Sequence, residues 1–240
     1  MGTSSSYKAP TSGGWPAAKR VATRYAQQQP SSGTATSVEP KDVFAAYIEA
    51  HGGARGAASS AGAAKSSAAR LGGILDSISS DGLSNALRNA GLTDLVGKSP
   101  SEILAAIVDL AVGPGSSIDE AVARAAMIEV LEDEFGDTES FTDLENAFSG
   151  LLMPANVMSV IYKFLVEYIY RRIVAELGER ITNGAISAAV ARQKEEDLRQ
   201  YIEQSVKFEL HQAQPDELAW NRPAASQMVE RLLRDAYGQL

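Results

Sequence analysis

Residues 99–115 read SPSEILAAIVDLAVGPG, and this stretch decides the fold class. Ser99 stands where a helix N-cap accepts a backbone hydrogen bond, Pro100 suits the first helical position, and Glu102 can return a bond to the cap. The apolar residues that follow recur at helical spacing until glycine and proline stop the pattern. The stretch therefore predicts one complete α helix together with both of its ends.

The same helix signals recur on both sides of this stretch. Ser117 with Glu120 repeats the capping pattern, and Thr142 with Glu145 predicts a third helix start. Alternation typical of strands is not found along the chain. The predicted class is all-α, an irregular multi-helix bundle. Further helices are expected over residues 40–50, around 71–78 and 83–87, over 118–135, from Pro154 to Asn183-Gly184, over about 186–210 and after Pro223.

A segment of small residues, 54–73, lies between the early helices and is rich in alanine, serine and glycine. Alanine favours a helix, whereas each interior glycine opposes it by about 1 kcal/mol. The segment is therefore expected to be helical only where other parts of the chain support it. Its small side chains would allow neighbouring helices to approach closely.

The N-terminal residues 1–38 are rich in glycine, serine, threonine and proline, and they carry no sustained apolar period. Such a segment buries too little surface to offset the cost of ordering it, so we expect a disordered, flexible tail. Residues 39–240 would form the helical domain, with a subdivision allowed near 80–90. Tyr7 and Trp15 stand out in the tail as anchors, either on the chain's own domain or on a partner.

The charge and cysteine content exclude several functions. A net charge of -8 argues against direct nucleic-acid binding, which needs a basic face. The absence of cysteine excludes disulfides and thiolate chemistry. Neither a signal-peptide core nor a membrane span is evident, so a cytoplasmic location is expected. Ten acidic residues and one base fall in 119–145, which would form either a solvated face or a docking surface for a basic partner.

The sequence offers no recognisable catalytic constellation. His51 and His211 each stand alone at an expected helix end, without a partner at metal-ligand spacing. Glu129, Asp133 and Asp137 share a helical face, but a second ligating helix with a glutamate-histidine motif is missing. Phosphate-binding glycine loops and serine nucleophile elbows are also missing. The prediction is a protein that is not an enzyme and has no metal and no cofactor.

The first residues, Met1-Gly2-Thr3-Ser4-Ser5-Ser6, form the one terminal motif that suggests chemistry. A small second residue allows removal of Met1, which leaves the Gly2 amine as an accessible nucleophile. The same residues fit the pattern for N-myristoylation. A lipid anchor would need a eukaryotic-type transferase, so it is the weaker of the two interpretations.

Four stretches spread over most of the chain stand out together by their order and spacing. They are Met1-Gly2-Thr3-Ser4-Ser5-Ser6 with its Gly/Pro-rich tail, the Gly/Ala-rich residues 52–73, residues 92–103 with their Lys98-Ser99-Pro100-Ser101-Glu102 helix start, and Ala191-Arg192-Gln193-Lys194-Glu195 ahead of Tyr201-Ile202. In this order and spacing the chain resembles the QatB family of the bacterial Qat anti-phage defence system.

This resemblance implies an operon with an ATPase (QatA), a QueC-like enzyme (QatC) and a TatD-like nuclease (QatD). QueC-like enzymes use ATP to activate a deazaguanine carboxylate and join it to an amine, and defence relatives are implied to use an N-terminal glycine. Gly2 would then be the acceptor, with Thr3, Ser4, Ser5 and Ser6 extended in the enzyme's pocket. The alternative is a structural adaptor for the ATPase or the nuclease, without any N-terminal modification.

Overall fold

The computed structural model describes residues 13–28, 37–113, 116–150, 154–212, 220 and 224–238. Within them the chain forms α helices and one short 3-10 helix, Thr93–Leu95, and no strand. The all-α prediction is confirmed. The helices are α1 (Trp15–Gln27), α2 (Pro40–Ala50), α3 (Ala54–Ser60), α4 (Gly62–Asp81), α5 (Leu83–Asn89), α6 (Pro100–Val112), α7 (Ile118–Phe135), α8 (Phe141–Ser149), α9 (Pro154–Gly184), α10 (Ala188–Gln212) and α11 (Ala224–Tyr237).

Helix α9 is the centre of the bundle. It has 31 residues, which at 1.5 Å per residue makes it about 46 Å long. Helices α1, α4, α7 and α10 pack around it, and most of its apolar residues are buried, as expected of a helix that is surrounded by others. These buried residues include Val157, Val160, Ile161, Phe164, Leu165, Ile169, Ile173, Leu177 and Ile181.

Two of the three predicted helix starts are confirmed. The Ser99 hydroxyl accepts the Glu102 N–H of α6 and the Glu102 carboxylate accepts the Ser99 N–H, and α7 repeats this at Ser117 and Glu120. The third prediction is wrong by two residues, because the cap of α8 is Ser140 paired with Asp143 rather than Thr142 with Glu145. The earlier start places Phe141 inside the helix, where it packs against the core.

The small-residue segment forms α3 and most of α4, and it does so against neighbouring helices, as expected. Helix α3 packs on α11, and α4 packs on α6, α7, α9 and α11. A Cβ added to Gly72 would lie 2.2 Å from Cδ2 of the buried Trp220. The absence of a side chain at Gly72 therefore lets an indole ring lie directly on the helix backbone.

The expectation of a flexible tail over residues 1–38 is wrong for residues 15–27, which form α1. Proline in the first turn and several alanines favour the helix. Its buried stripe has helical spacing, but alanine contributes little to an apolar pattern, which is why the sequence did not reveal it. The stripe consists of Trp15, Ala18, Ala22, Tyr25 and Ala26.

The core runs without a break through the region where a subdivision was allowed. Leu75 of α4, Leu83 and Leu87 of α5 and Ile103 of α6 belong to the same buried cluster. Among the described residues, the structure contains no helix with the length and apolar character needed to cross a membrane.

Candidate functional site

Trp15 fixes the start of α1 to the helical body. Its side chain is buried, and its ring lies edge-on to Tyr47 of α2 and to His51, the C-cap residue of α2, with centroid distances of 6.1 and 5.0 Å. Of the two predicted anchors, Trp15 thus packs on the chain's own domain. Tyr7 and the predicted modification residues Gly2, Thr3, Ser4, Ser5 and Ser6 lie outside the described residues.

The rest of α1 is held by close packing on α9 and by a contact to α10. Ala26 faces Gly184 so closely that a Cβ on Gly184 would lie 3.0 Å from the Ala26 Cβ. The Tyr25 hydroxyl donates to the Lys194 carbonyl oxygen at 2.9 Å, and the Lys194 ammonium lies 4.5 Å from the Tyr25 ring centre. Burial, followed by the charge of Asp197, raises the pKa of Tyr25 above its ordinary range. Helix α1 is therefore an integral part of the bundle.

A buried ionic network lies beneath the start of α1. The Glu176 carboxylate, only 2% exposed, lies 3.1 Å from Nε2 of His51 and 2.9 Å from Nε of Arg172. Nη1 of Arg172 donates to Asp119 Oδ1 at 2.6 Å and to the Tyr168 hydroxyl at 2.7 Å. A buried charge is tolerated only when it is paired and hydrogen-bonded, as these groups are.

The network ties together helices that are distant in the sequence. Asp119, at the start of α7, accepts the Ala63 N–H of α4 at 2.7 Å, and the Tyr168 hydroxyl donates to the same carboxylate. Burial is the main reason that the pKa of Tyr168 is raised above its ordinary range. The network therefore joins α4, α7 and α9 to His51 at the end of α2.

The sequence analysis did not bring Ser60, His51 and Glu176 together, but the structure does. Ser60 Oγ lies 3.2 Å from His51 Nδ1, while His51 Nε2 faces Glu176. A serine nucleophile must pass its proton to the neighbouring base. The Ser60 hydroxyl also donates to the Ala57 carbonyl oxygen at 2.8 Å, within its own helix. The three residues form a link between α2, α3 and α9.

The acidic segment 119–145 is partly neutralised within the chain. Glu129 pairs with Arg171 at 3.0 Å, Glu134 pairs with Lys163, and Asp119 belongs to the buried network. Other acidic side chains of the segment are exposed, as a solvated face would require; they include Glu132, Asp133, Asp137 and Glu139. The described residues contain no group of three or more side chains placed to hold a metal ion.

A second charged surface lies on α1 and was not predicted as a site. Four cationic side chains, together with Pro16, Ala17, Val21 and Thr23, line one groove of about 770 Å³ between α1 and the end of α9. We call it the basic groove. Among the residues that the structure describes, no acidic side chain lines it. The four cations are Lys19, Arg20, Arg24 and Arg180.

Fold and surfaces define an all-α protein whose first helix is fixed to a body stabilised by a buried ionic network. A family model described as "Qat anti-phage system associated protein QatB" matches residues 52–240. The chain belongs to this family, so its role lies in the Qat anti-phage system. No curated protein and no solved structure matches it. Helices α1 and α2, with Trp15, precede the matched residues.

Proposed function

We propose that this chain is a non-enzymatic subunit of the Qat defence complex whose Gly2, after removal of Met1, is conjugated by a QueC-like partner (QatC). The observation that carries the proposal is the anchoring of α1. Trp15 is held by Tyr47 and His51, so the residues before it are tethered at a defined point of the body. Gly2 lies thirteen positions before Trp15, which gives a reach of at most about 45 Å.

The chemistry needs an amine on this chain and an activated carboxylate on the partner. ATP would activate the deazaguanine carboxylate, and the Gly2 nitrogen would attack the carboxyl carbon. The new C–N amide bond forms as the activated oxygen departs with the group derived from ATP, and the amine releases a proton. Gly2 supplies a nucleophile that is unhindered at its α carbon, and Thr3, Ser4, Ser5 and Ser6 present small side chains to a narrow pocket.

The pairing of the buried polar groups supports the proposal that this chain is the substrate of the conjugation rather than its catalyst. In the described part of the chain, the buried carboxylates Glu176 and Glu167 are engaged by arginines, and the Ser60 hydroxyl is engaged by Ala57. These contacts favour a structural role for the buried polar side chains of the helical body. The reactive group of the proposal lies instead in the N-terminal motif.

A phage challenge separates this proposal from the structural adaptor for the ATPase (QatA) or the nuclease (QatD). Gly2→Leu should retain Met1 and remove the glycine amine, so protection by the complete operon should be lost. Ser12→Leu makes a similar change in the same segment and should leave protection intact. Full protection by Gly2→Leu would favour the adaptor and contradict conjugation at Gly2.

A further inference from the structure

The basic groove is an unbalanced cluster of charge on an acidic protein. Arg20 and Arg24 are four residues apart on the exposed side of α1, and Arg180 reaches the same groove from α9. Like charges at this helical spacing repel each other. Within the described residues, Arg20, Arg24 and Arg180 form no ion pair. These three arginines therefore give the groove a positive charge that no ion pair of the described residues balances.

The position of the groove relates it to the N-terminal motif. The groove begins at Pro16, beside the anchored Trp15, and follows α1. A protein that holds Gly2 is tethered within about 45 Å of Trp15 by the intervening residues. A contact on α1 would then act at a high effective concentration and would raise the overall affinity for that protein.

We infer that the basic groove docks an acidic surface of the enzyme that takes Gly2. This inference rests on the proposed function. Four cations offer few phosphate contacts, and the remaining surface of a chain with a net charge of -8 repels a long polyanion. A local acidic patch on a folded protein needs only the groove itself. Complementary charge of this kind mainly accelerates encounter and fixes orientation.

The test compares two charge reversals of equal size. Arg20→Glu/Arg24→Glu alters the groove, whereas Arg55→Glu/Arg231→Glu alters exposed arginines on α3 and α11, which line a different cavity. The full-length variants are mixed with the purified QueC-like protein, and the Kd and the kcat/KM of Gly2 conjugation are measured. Circular dichroism and thermal unfolding verify that both variants fold.

The groove variant should bind at least about 10-fold more weakly, with a matching loss of kcat/KM and a kcat close to wild type. The Kd of the Arg55/Arg231 variant should change by less than about 2-fold. Raising the salt concentration should reduce the difference in Kd between the wild type and the groove variant. A peptide of residues 2–14 lacks α1, so its kcat/KM for Gly2 conjugation is the value expected without the groove.

The outcomes distinguish the two proposals. Equal Kd values for the wild type and the groove variant would overturn the docking inference, even if Gly2 is conjugated. A weaker Kd without any conjugation would support docking and contradict the proposed function. If the groove variant loses binding only to a single-stranded DNA probe, while partner binding is unchanged, the groove is a nucleic-acid site and the inference is wrong.

Discussion

The indole of Trp15 meets the imidazole of His51 edge to face, with the ring centroids 5.0 Å apart and the ring planes at 78°. The same imidazole also reaches the buried network, because His51 Nε2 lies 3.1 Å from the Glu176 carboxylate. One histidine therefore joins the first helix to the network that holds the body together. Anchoring of the N-terminal segment and stability of the core are linked at this residue.

Replacing Trp15 with alanine should release the start of α1. Loss of a buried tryptophan costs about 3–5 kcal/mol in the free energy of unfolding, and much of this loss should appear as local opening. Hydrogen exchange should therefore quicken in residues 15–27 more than in α9. Trp15→Phe keeps an aromatic ring and should therefore lose less free energy of unfolding than Trp15→Ala. Unchanged exchange in α1 after Trp15→Ala would contradict the anchoring role.

Breaking the ionic network at one partner should destabilise the fold strongly. Glu176→Gln removes one of the two carboxylates that pair with Arg172, and removal of one partner from a buried pair costs about 3–5 kcal/mol. The control Glu132→Gln, on the exposed face of α7, should change the free energy of unfolding by less than about 0.5 kcal/mol. Urea denaturation measures both. Similar losses in the two variants would show that burial gives Glu176 no special role.

Two adjacent glycines of α4 should respond in opposite directions to alanine. At Gly72 the new Cβ would lie 2.2 Å from Trp220, and such overpacking costs about 1–3 kcal/mol. At Gly73 the nearest atom is 4.0 Å away, so Gly73→Ala should stabilise the helix by about 0.5–1 kcal/mol. Urea denaturation followed by tryptophan fluorescence measures both. Equal effects would contradict the packing of Trp220 on Gly72.

The start of α8 can be tested by removing each candidate cap. Ser140→Ala should lower the free energy of unfolding by about 1 kcal/mol, because the Asp143 N–H loses its acceptor. Thr142→Ala removes a hydroxyl from an exposed position inside the helix and should cost less than about 0.5 kcal/mol. Thermal unfolding of the two variants decides between the caps. A larger loss at Thr142 would restore the start predicted from the sequence.

Alkaline unfolding should follow the buried tyrosines. Burial raises the pKa values of Tyr25, Tyr47, Tyr168 and Tyr237 above the ordinary value of about 10. The folded state therefore keeps these phenols protonated, and its stability is complete below about pH 10 and falls as the pH rises beyond it. Ultraviolet titration should show them ionising together with unfolding. Ionisation of all eight tyrosines near pH 10 in the folded protein would contradict their burial.

The sequence was most informative where local chemistry alone sets the structure. Ser99 and Ser117 have a glutamate three residues later and then a strong apolar period, so their helices could be located to the residue. At α8, both Ser140 and Thr142 have an acidic residue at the right spacing, and only the packing of Phe141 decides between them. Helix α1 was missed because its buried stripe consists largely of alanine.

The surfaces proposed as sites depend on contacts that no local pattern contains. Glu176 lies 125 positions from His51, and Arg180 joins Arg20 and Arg24 only because α1 packs on the end of α9. The N-terminal motif is the opposite case, because Gly2 was proposed from its position in the sequence and lies outside the described residues. Trp15 lies between these two cases. The sequence marked it as an anchor but left open whether it packs on its own domain or on a partner, and the structure shows that it packs on its own domain.

The most direct test of the account is the mass of the N-terminal peptide Gly2–Lys8, which trypsin would release from protein co-expressed with its genomic neighbours. Conjugation predicts that this peptide lacks Met1 and carries a deazaguanine-sized mass on the Gly2 nitrogen. The added mass should disappear when the QueC-like partner is omitted. An unmodified Gly2 in cells that are fully protected against phage would contradict the account and leave a helical adaptor.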